Sequence, residues 1–157
     1  MIEQKSAARV QEELNQFGLE LQVIEMETST RTAQEAAVTV GCRLGQIAKS
    51  LIFRGKLSGE PILVIASGAN RVNERRIAGY IGEPIIKADA DYVLCKTGYV
   101  IGGIPPIGHK TKLSCLVDQE LLQYEEIWGA AGTPYAVFRL TPTQLLTITG
   151  GKVVEVV

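Results

Sequence analysis

A chain of 157 residues with 46% apolar and 21% charged residues has the size and balance of one globular domain, spanning residues 1–157 and able to bury its own core. Sixteen basic residues against seventeen acidic ones leave a net charge of −1, which excludes strong, indiscriminate binding to nucleic acid; any such contact must be local. The longest apolar run, Ile62 to Ala66, is too short to cross a bilayer, and Glu3, Glu12 and Glu13 stand where a signal peptide needs apolar residues, so the expectation is a cytoplasmic protein with no membrane partner.

In chain order, Ala7, Val10, Leu14 and Phe17 fall on one helical face, which Gly18 can terminate. Leu19, Leu21 and Val23 alternate as a strand entering the loop Thr28 to Arg31. Thr32-Ala-Gln-Glu35 is a capping box for a helix whose buried face is Ala33, Ala36, Ala37 and Val40 before Gly41. Ala48 to Arg54 and Pro61 to Ser67 are apolar runs around Gly55-Lys-Leu-Ser-Gly59, the pattern of an antiparallel hairpin. Asn73 caps a short helix to Gly79 with Ile77 inward, Pro84 to Lys87 is a brief strand, and Asp89 to Lys96 a helix. Leu113 to Val117, Glu126 to Ala130 and Ala136 to Leu140 read as strands. Thr141-Pro-Thr-Gln144 then opens a helix that Gly150-Gly151 ends, before a closing strand through Val153, Val154, Val156 and Val157. This irregular interleaving predicts a mixed α+β domain.

Cys42, Cys95 and Cys115 are odd in number and share no C-x-x-C spacing, so they read as reduced, mostly buried thiols. One histidine provides no His set for a metal, and no cofactor motif is present. No G-x-S-x-G elbow supports a serine triad. Gly103 to Thr111 resembles a G-x-x-x-x-G-K-T phosphate loop with His109 inserted before the lysine and two prolines in the arc, which argues against nucleoside triphosphate hydrolysis. Basic residues form three islands: Lys49, Arg54 and Lys56; Arg71, Arg75 and Arg76; His109, Lys110 and Lys112. Each alone reads as solvated surface charge, and only convergence of the first and third on one pocket would make them a binding site.

The densest signal is Gly98 to His109, which holds four glycines, two adjacent prolines and the only histidine within twelve residues. Glycine permits close backbone approach and proline fixes φ, so this loop has a rigid, predetermined shape suited to a ligand, though a structural turn would need the same residues. Upstream, Lys49 sits inside the apolar run Ile47-Ala-Lys-Ser-Leu-Ile-Phe53, where it either snorkels from a strand edge or serves a ligand.

Together with Gly132-Thr-Pro-Tyr-Ala-Val-Phe-Arg-Leu-Thr-Pro142, these blocks resemble the YbaK/prolyl-tRNA editing-domain family from about Thr32 to Leu146. Members are free-standing or synthetase-fused aminoacyl-tRNA deacylases. The resemblance implies a curved, barrel-like mixed sheet flanked by helices, and a trans-editing hydrolase for tRNA mischarged with a small amino acid such as Cys, Ala or Ser. It implies that Lys49 supplies a charge for the terminal phosphate and that Gly102 and Gly103 offer backbone donors to the ester. Pro106, Gly108 and His109 would bind the aminoacyl-adenosine end, and Thr133 and Tyr135 would line the pocket; relatives commonly carry histidine in place of Tyr135. The implied partners are the acceptor end of aminoacyl-tRNA and, transiently, a synthetase. An aminoacyl ester is already activated, so positioning and oxyanion stabilisation suffice without elaborate acid–base groups. His109 would be a ribose contact rather than a base. That scarcity of catalytic groups leaves two alternatives open: a non-catalytic binding module for a nucleotide or aminoacyl derivative, and a regulatory partner of a synthetase.

Overall fold

Nine residues of continuous strand, Ile47–Gly55 (β2), form the axis of the molecule, and every other strand is placed by its relation to them. The computed structural model describes the backbone of residues 2–157 and the side chains of residues 5–157. The elements are α1 (Ile2–Asn15), β1 (Val23–Glu25), α2 (Ala33–Val40), β2, β3 (Pro61–Ser67), α3 (Glu74–Ile81), β4 (Ile85–Lys87), α4 (Ala90–Thr97), β5 (Ser114–Asp118), β6 (Ile127–Ala130), β7 (Ala136–Leu140), α5 (Pro142–Thr149) and β8 (Lys152–Val154). Short 3-10 turns at Leu44–Gln46 and Gln119–Gln123 lead into β2 and out of β5.

The eight strands make one mixed sheet in the order β1-β7-β6-β2-β3-β5-β8, with β4 pairing separately to β2. The α+β class follows the sequence reading, but the sheet is not a closed barrel, because β1 and β8 end it on opposite sides. All seven residues of β3 are buried. Leu63 and Ile65 face a core built with Val10 and Leu14 of α1, Val93 of α4 and Leu145 of α5. Ile62, Val64 and Ala66 face a second core with Ile77 of α3, Leu116 and Val154. A strand covered on both faces reads as an unbroken apolar run for this reason. A third cluster seats Ala36 and Ala37 of α2 on Ile47, where their small side chains permit close approach.

The local signals position the helices well. Thr32, Asn73, Asp89 and Thr141 each accept a backbone N–H three residues on, and Gly41, Gly82, Gly98 and Gly150 take left-handed conformations at the opposite ends. Three expectations shift. Helix α3 runs past Gly79 to Ile81, since it is Gly82, at φ +90°, that caps it. The first strand is Val23–Glu25 rather than Leu19 to Val23, because the Gln11 side chain takes the Leu21 carbonyl and the Val23 N–H at 2.8 Å each and holds that approach to the helix. Phe17 lies beyond the end of α1 and is exposed. The cysteines are free, yet none is fully buried: Cys95 is exposed, and Cys42 and Cys115 are half-buried, with burial pushing the Cys115 thiol up to about 11. No helix among the described residues is long and apolar enough to cross a membrane.

Candidate active site

The site begins as an interruption in the sheet. Along one edge β2 pairs with β3 from Ala48 to Arg54. Along the other, β6 covers only Ile47 and Ala48, and β4 covers only Phe53 to Gly55. The Ala88 N–H reaches the Ile52 carbonyl at 3.4 Å, so Lys49 to Leu51 have no strand beside them on this edge. The ladder with β3 is phased by Gly68 N–H donating to Ile47 and Gly55 N–H to Glu60, which directs the backbone groups of Lys49 and Leu51 to β3 and those of Ser50 to the open edge.

A cavity of about 240 Å³ fills this gap, bounded by Lys49 and Ser50 of β2, Thr30 and Arg31, Gly102 and Trp128. The hydroxyl of Ser50 is buried and has no hydrogen-bond partner among the described residues. Lys49 is half-buried, and its Nζ donates to the backbone carbonyl of Asn70 at 2.7 Å. Burial pushes its pKa down, and the Asp118 carboxylate opposes that shift. Asp118 is 1% exposed, so its charge is tolerable only because it is fully engaged. It accepts the Ser67 N–H at 3.0 Å, the Asn70 amide at 2.8 Å and the Glu120 N–H at 2.9 Å. The Asn70 amide also donates to Glu120. Asn70 thus links the acid to the lysine: its side chain is held by Asp118 while its carbonyl holds Nζ.

The three sequence blocks meet here, with unequal roles. Gly102, at φ +94°, lines the cavity, and a methyl there would lie 2.5 Å from the Arg31 side chain. Gly103 instead packs against the Thr133 backbone, where a methyl would come within 2.8 Å of its N, Cα and C atoms. The Gly103 N–H donates to the Val100 carbonyl at 3.1 Å, and the Gly103 carbonyl accepts from Gly132 at 2.8 Å. Thr133 is buried and takes the Tyr135 N–H at 3.1 Å; Pro134 accepts both the N–H and the hydroxyl of Thr30, at 2.6 and 3.0 Å. The Thr133 block therefore buttresses Thr30 and Gly103, while Tyr135 is exposed.

Pro106, Gly108 and His109 border a different depression, with Glu13 and Lys112. His109 donates through Nε2 to the Pro105 carbonyl at 2.7 Å, since a carbonyl can only accept, and burial pushes its pKa down. The first and third basic islands do not converge. Lys49 shares a second, adjoining cavity with Arg71 of the middle island instead. Among the described residues, no group of three or more His, Cys, Asp or Glu side chains is placed to hold a metal. Sequence reading missed Ser50, Asn70 and Asp118. An acid ending the apolar run of β5 was the one available signal, and nothing in the sequence named its partners.

The aminoacyl-tRNA editing domain model matches residues 27–148, which takes in the cavity and all three blocks. The chain belongs to this family. It is 32% identical over 148 residues to the uncharacterised protein YwhH of Bacillus subtilis (strain 168), covering 94% of each chain. It is 27% identical over 126 residues to EbsC of Enterococcus faecalis (strain ATCC 700802 / V583), named as a candidate Cys-tRNA(Pro)/Cys-tRNA(Cys) deacylase, covering 80% of this chain and 76% of EbsC. A crystal structure of a candidate trans-editing enzyme for prolyl-tRNA synthetase superposes with a TM-score of 0.90 at 45% identity, covering 96% of each chain.

Proposed function

We propose that the protein is a cytoplasmic trans-editing hydrolase that cleaves the ester between a wrongly attached small amino acid and tRNA, acting beside prolyl-tRNA synthetase. The observation that carries this reading is a half-buried, carboxylate-supported Lys49 next to Ser50, whose buried hydroxyl has no hydrogen-bond partner among the described residues, both residues lining one small, largely apolar cavity. An ester substrate would meet a cation for its terminal phosphate, a hydroxyl for a polar group of the aminoacyl moiety, and the single backbone N–H of Gly102. Water adds through its oxygen to the ester carbonyl carbon, the bond to the ribose oxygen breaks as that oxygen takes up the proton the water gives up, and free amino acid and tRNA leave. The oxyanion that forms is stabilised by preorganised donors, and no side-chain base is assigned to the attacking water. His109, Pro106 and Gly108 would act by holding the loop, and Thr133 and Tyr135 by fixing its other wall.

At about 240 Å³ the cavity has room for a small amino acid, and discrimination of one methylene contributes only about 1–3 kcal/mol, so Cys, Ala and Ser are the substrates to compare. Incubating the pure protein with tRNA(Pro) charged with Cys, Ala, Ser or Pro, and following loss of the amino acid, tests the reading; hydrolysis of none of them would overturn it. Among the described residues, the cavity lining holds no His, Cys, Asp or Glu, which favours one second reading, a binding module that retains the aminoacyl end without cleaving it. Retention of mischarged tRNA without release of amino acid would identify that case.

A further inference from the structure

Among the described residues, Ser50 turns its backbone to the edge of β2 at a point where no strand lies beside it. Antiparallel pairing alternates, and with Lys49 and Leu51 turned to β3, the N–H and the C=O of Ser50 point together into the gap. The edge is taken up on either side of it: β6 pairs with Ile47 and Ala48, and the Ala88 N–H takes the Ile52 carbonyl at 3.4 Å. Ser50 is half-buried, and backbone groups away from water cost free energy unless they are paired, so this donor and acceptor are suited to a ligand that brings both complements. The flanking occupants limit that ligand to one residue, which excludes a peptide strand. An aminoacyl ester is one residue: its amino group, α-carbon and carbonyl offer the same donor and acceptor that a strand residue offers to the residue opposite.

We infer that the aminoacyl group docks as the missing strand residue of this sheet, its ester carbonyl accepting the Ser50 N–H and its α-amino group donating to the Ser50 carbonyl. The inference rests on the editing reading, which supplies the ester. The geometry of an antiparallel hydrogen-bonded pair then fixes the rest. The two residues run in opposite senses, so the ester lies at the Lys49 end of the gap and the amino group at the Leu51 end. The ribose and its phosphate therefore continue from the end that carries the cation. The side chain of the amino acid falls opposite that of Ser50, at a Cβ separation of about 4.5–5.5 Å. By strand alternation this is the face of Ala48 and Ile52, both in the main core, and it carries the Ser50 hydroxyl that lacks a partner among the described residues. The Ser50 N–H also meets the atom on which negative charge develops, adding a second backbone donor to that of Gly102. Such a pair reads the α-amino ester common to all primary amino acids, leaving the choice among side chains to the cavity wall.

The test uses amide analogues, so that it does not depend on turnover. Adenosine with a 3′-amino group in place of the 3′-hydroxyl is acylated with alanine or with propionic acid, which lacks only the α-amino group, and each analogue is titrated into isotope-labelled protein followed by NMR. With the alanyl analogue the Ser50 amide proton should move downfield and its exchange with solvent should slow by about tenfold or more, while the Lys49 and Leu51 amides, already turned to β3, change little. The propionyl analogue should bind about tenfold more weakly, because it leaves the Ser50 carbonyl unpaired. Ser50→Pro removes the N–H at an edge position, where a strand tolerates proline, and Ser50→Ala keeps both backbone groups. Affinity for the alanyl analogue should be about tenfold lower in the proline variant than in the alanine variant, with melting temperatures checking that both fold. Should the proline variant not fold, the wild-type resonances and the propionyl comparison decide. An unmoved Ser50 amide, equal affinity for the two analogues, or equal affinity of two folded variants would each overturn the inference. A protein that protects the Ser50 amide on binding the alanyl analogue yet hydrolyses no aminoacyl ester would retain this docking and remove the editing reading.

Discussion

Lys49 and Asp118 never touch, yet the acid governs the lysine through Asn70, whose amide donates to the carboxylate at 2.8 Å and whose carbonyl accepts Nζ at 2.7 Å. Burial lowers the pKa of Lys49 and Asp118 raises it, so removing the carboxylate charge leaves burial unopposed. Asp118→Asn should therefore move the alkaline limb of the deacylation rate to lower pH, since the charged lysine is lost sooner. The same change turns an acceptor of three hydrogen bonds into an amide, which should also destabilise the fold by about 1–3 kcal/mol. A pH–rate profile with the limb unmoved would show that Asp118 serves the fold alone.

Lys49 itself is the sharper test. Lys49→Ala should keep the fold, because the side chain is only half-buried, while lowering single-turnover deacylation by about 10²-fold or more, the scale of losing one preorganised charge-stabilising donor. Lys49→Arg should recover a part of this. A planar guanidinium keeps the charge but cannot occupy the ammonium's compact place against the Asn70 carbonyl. Wild-type rates in the alanine variant would remove the lysine from the mechanism.

Gly103→Ala and Gly59→Ala separate loop packing from turn strain. At Gly103 the methyl meets main-chain atoms of Thr133 at 2.8 Å, which cannot yield without moving Gly132 to Tyr135 and, through Pro134, Thr30. Gly59 has φ +74° and open space, so alanine there costs only about 1–2 kcal/mol of left-handed strain. The expected outcome is a large drop in both melting temperature and activity for Gly103→Ala, against a modest drop in melting temperature alone for Gly59→Ala. Comparable, small effects would mean that the two loops do not depend on that contact.

His109→Gln should retain most deacylation activity, because the imidazole is fastened to the Pro105 carbonyl beside a depression that Lys49 does not border. Its trace lies in stability. The folded histidine has a pKa below its ordinary 6.5, so both states are neutral above that value. As pH falls through 6.5 the unfolded chain takes up the proton first, and stability declines until the folded pKa is passed. Denaturant titrations between pH 7 and pH 5 should show a shallower decline in the glutamine variant. A rate loss of about 10²–10⁴-fold with disappearance of an ionisation near neutrality would instead make His109 a general base.

The local features were legible in the residues. Three N-caps (Thr32, Asn73 and Thr141), the glycine ends of α2 and α5, the β2–β3 hairpin and the α+β class each depend on groups within a few positions of one another, where i to i+3 bonding and side-chain period dominate. Lys49 and Gly102 could be singled out because a charge in an apolar strand and a glycine-proline loop are locally anomalous. The placement of the first strand could not, since a glutamine reaching from α1 overrides the alternation of Leu19, Leu21 and Val23.

Apart from the first strand and the end of α3, sequence alone determined which segments would be helix, strand or rigid loop, and which lysine and loop to watch. Tertiary structure decided what they became together. The gap between β4 and β6, the reach from Lys49 through Asn70 to Asp118, the division of Gly102 from Gly103 between cavity and buttress, and the placement of His109 beside a different depression all join residues distant along the chain. Such contacts are set by strand order and by how the two faces of β3 are covered, and no local period or cap encodes them.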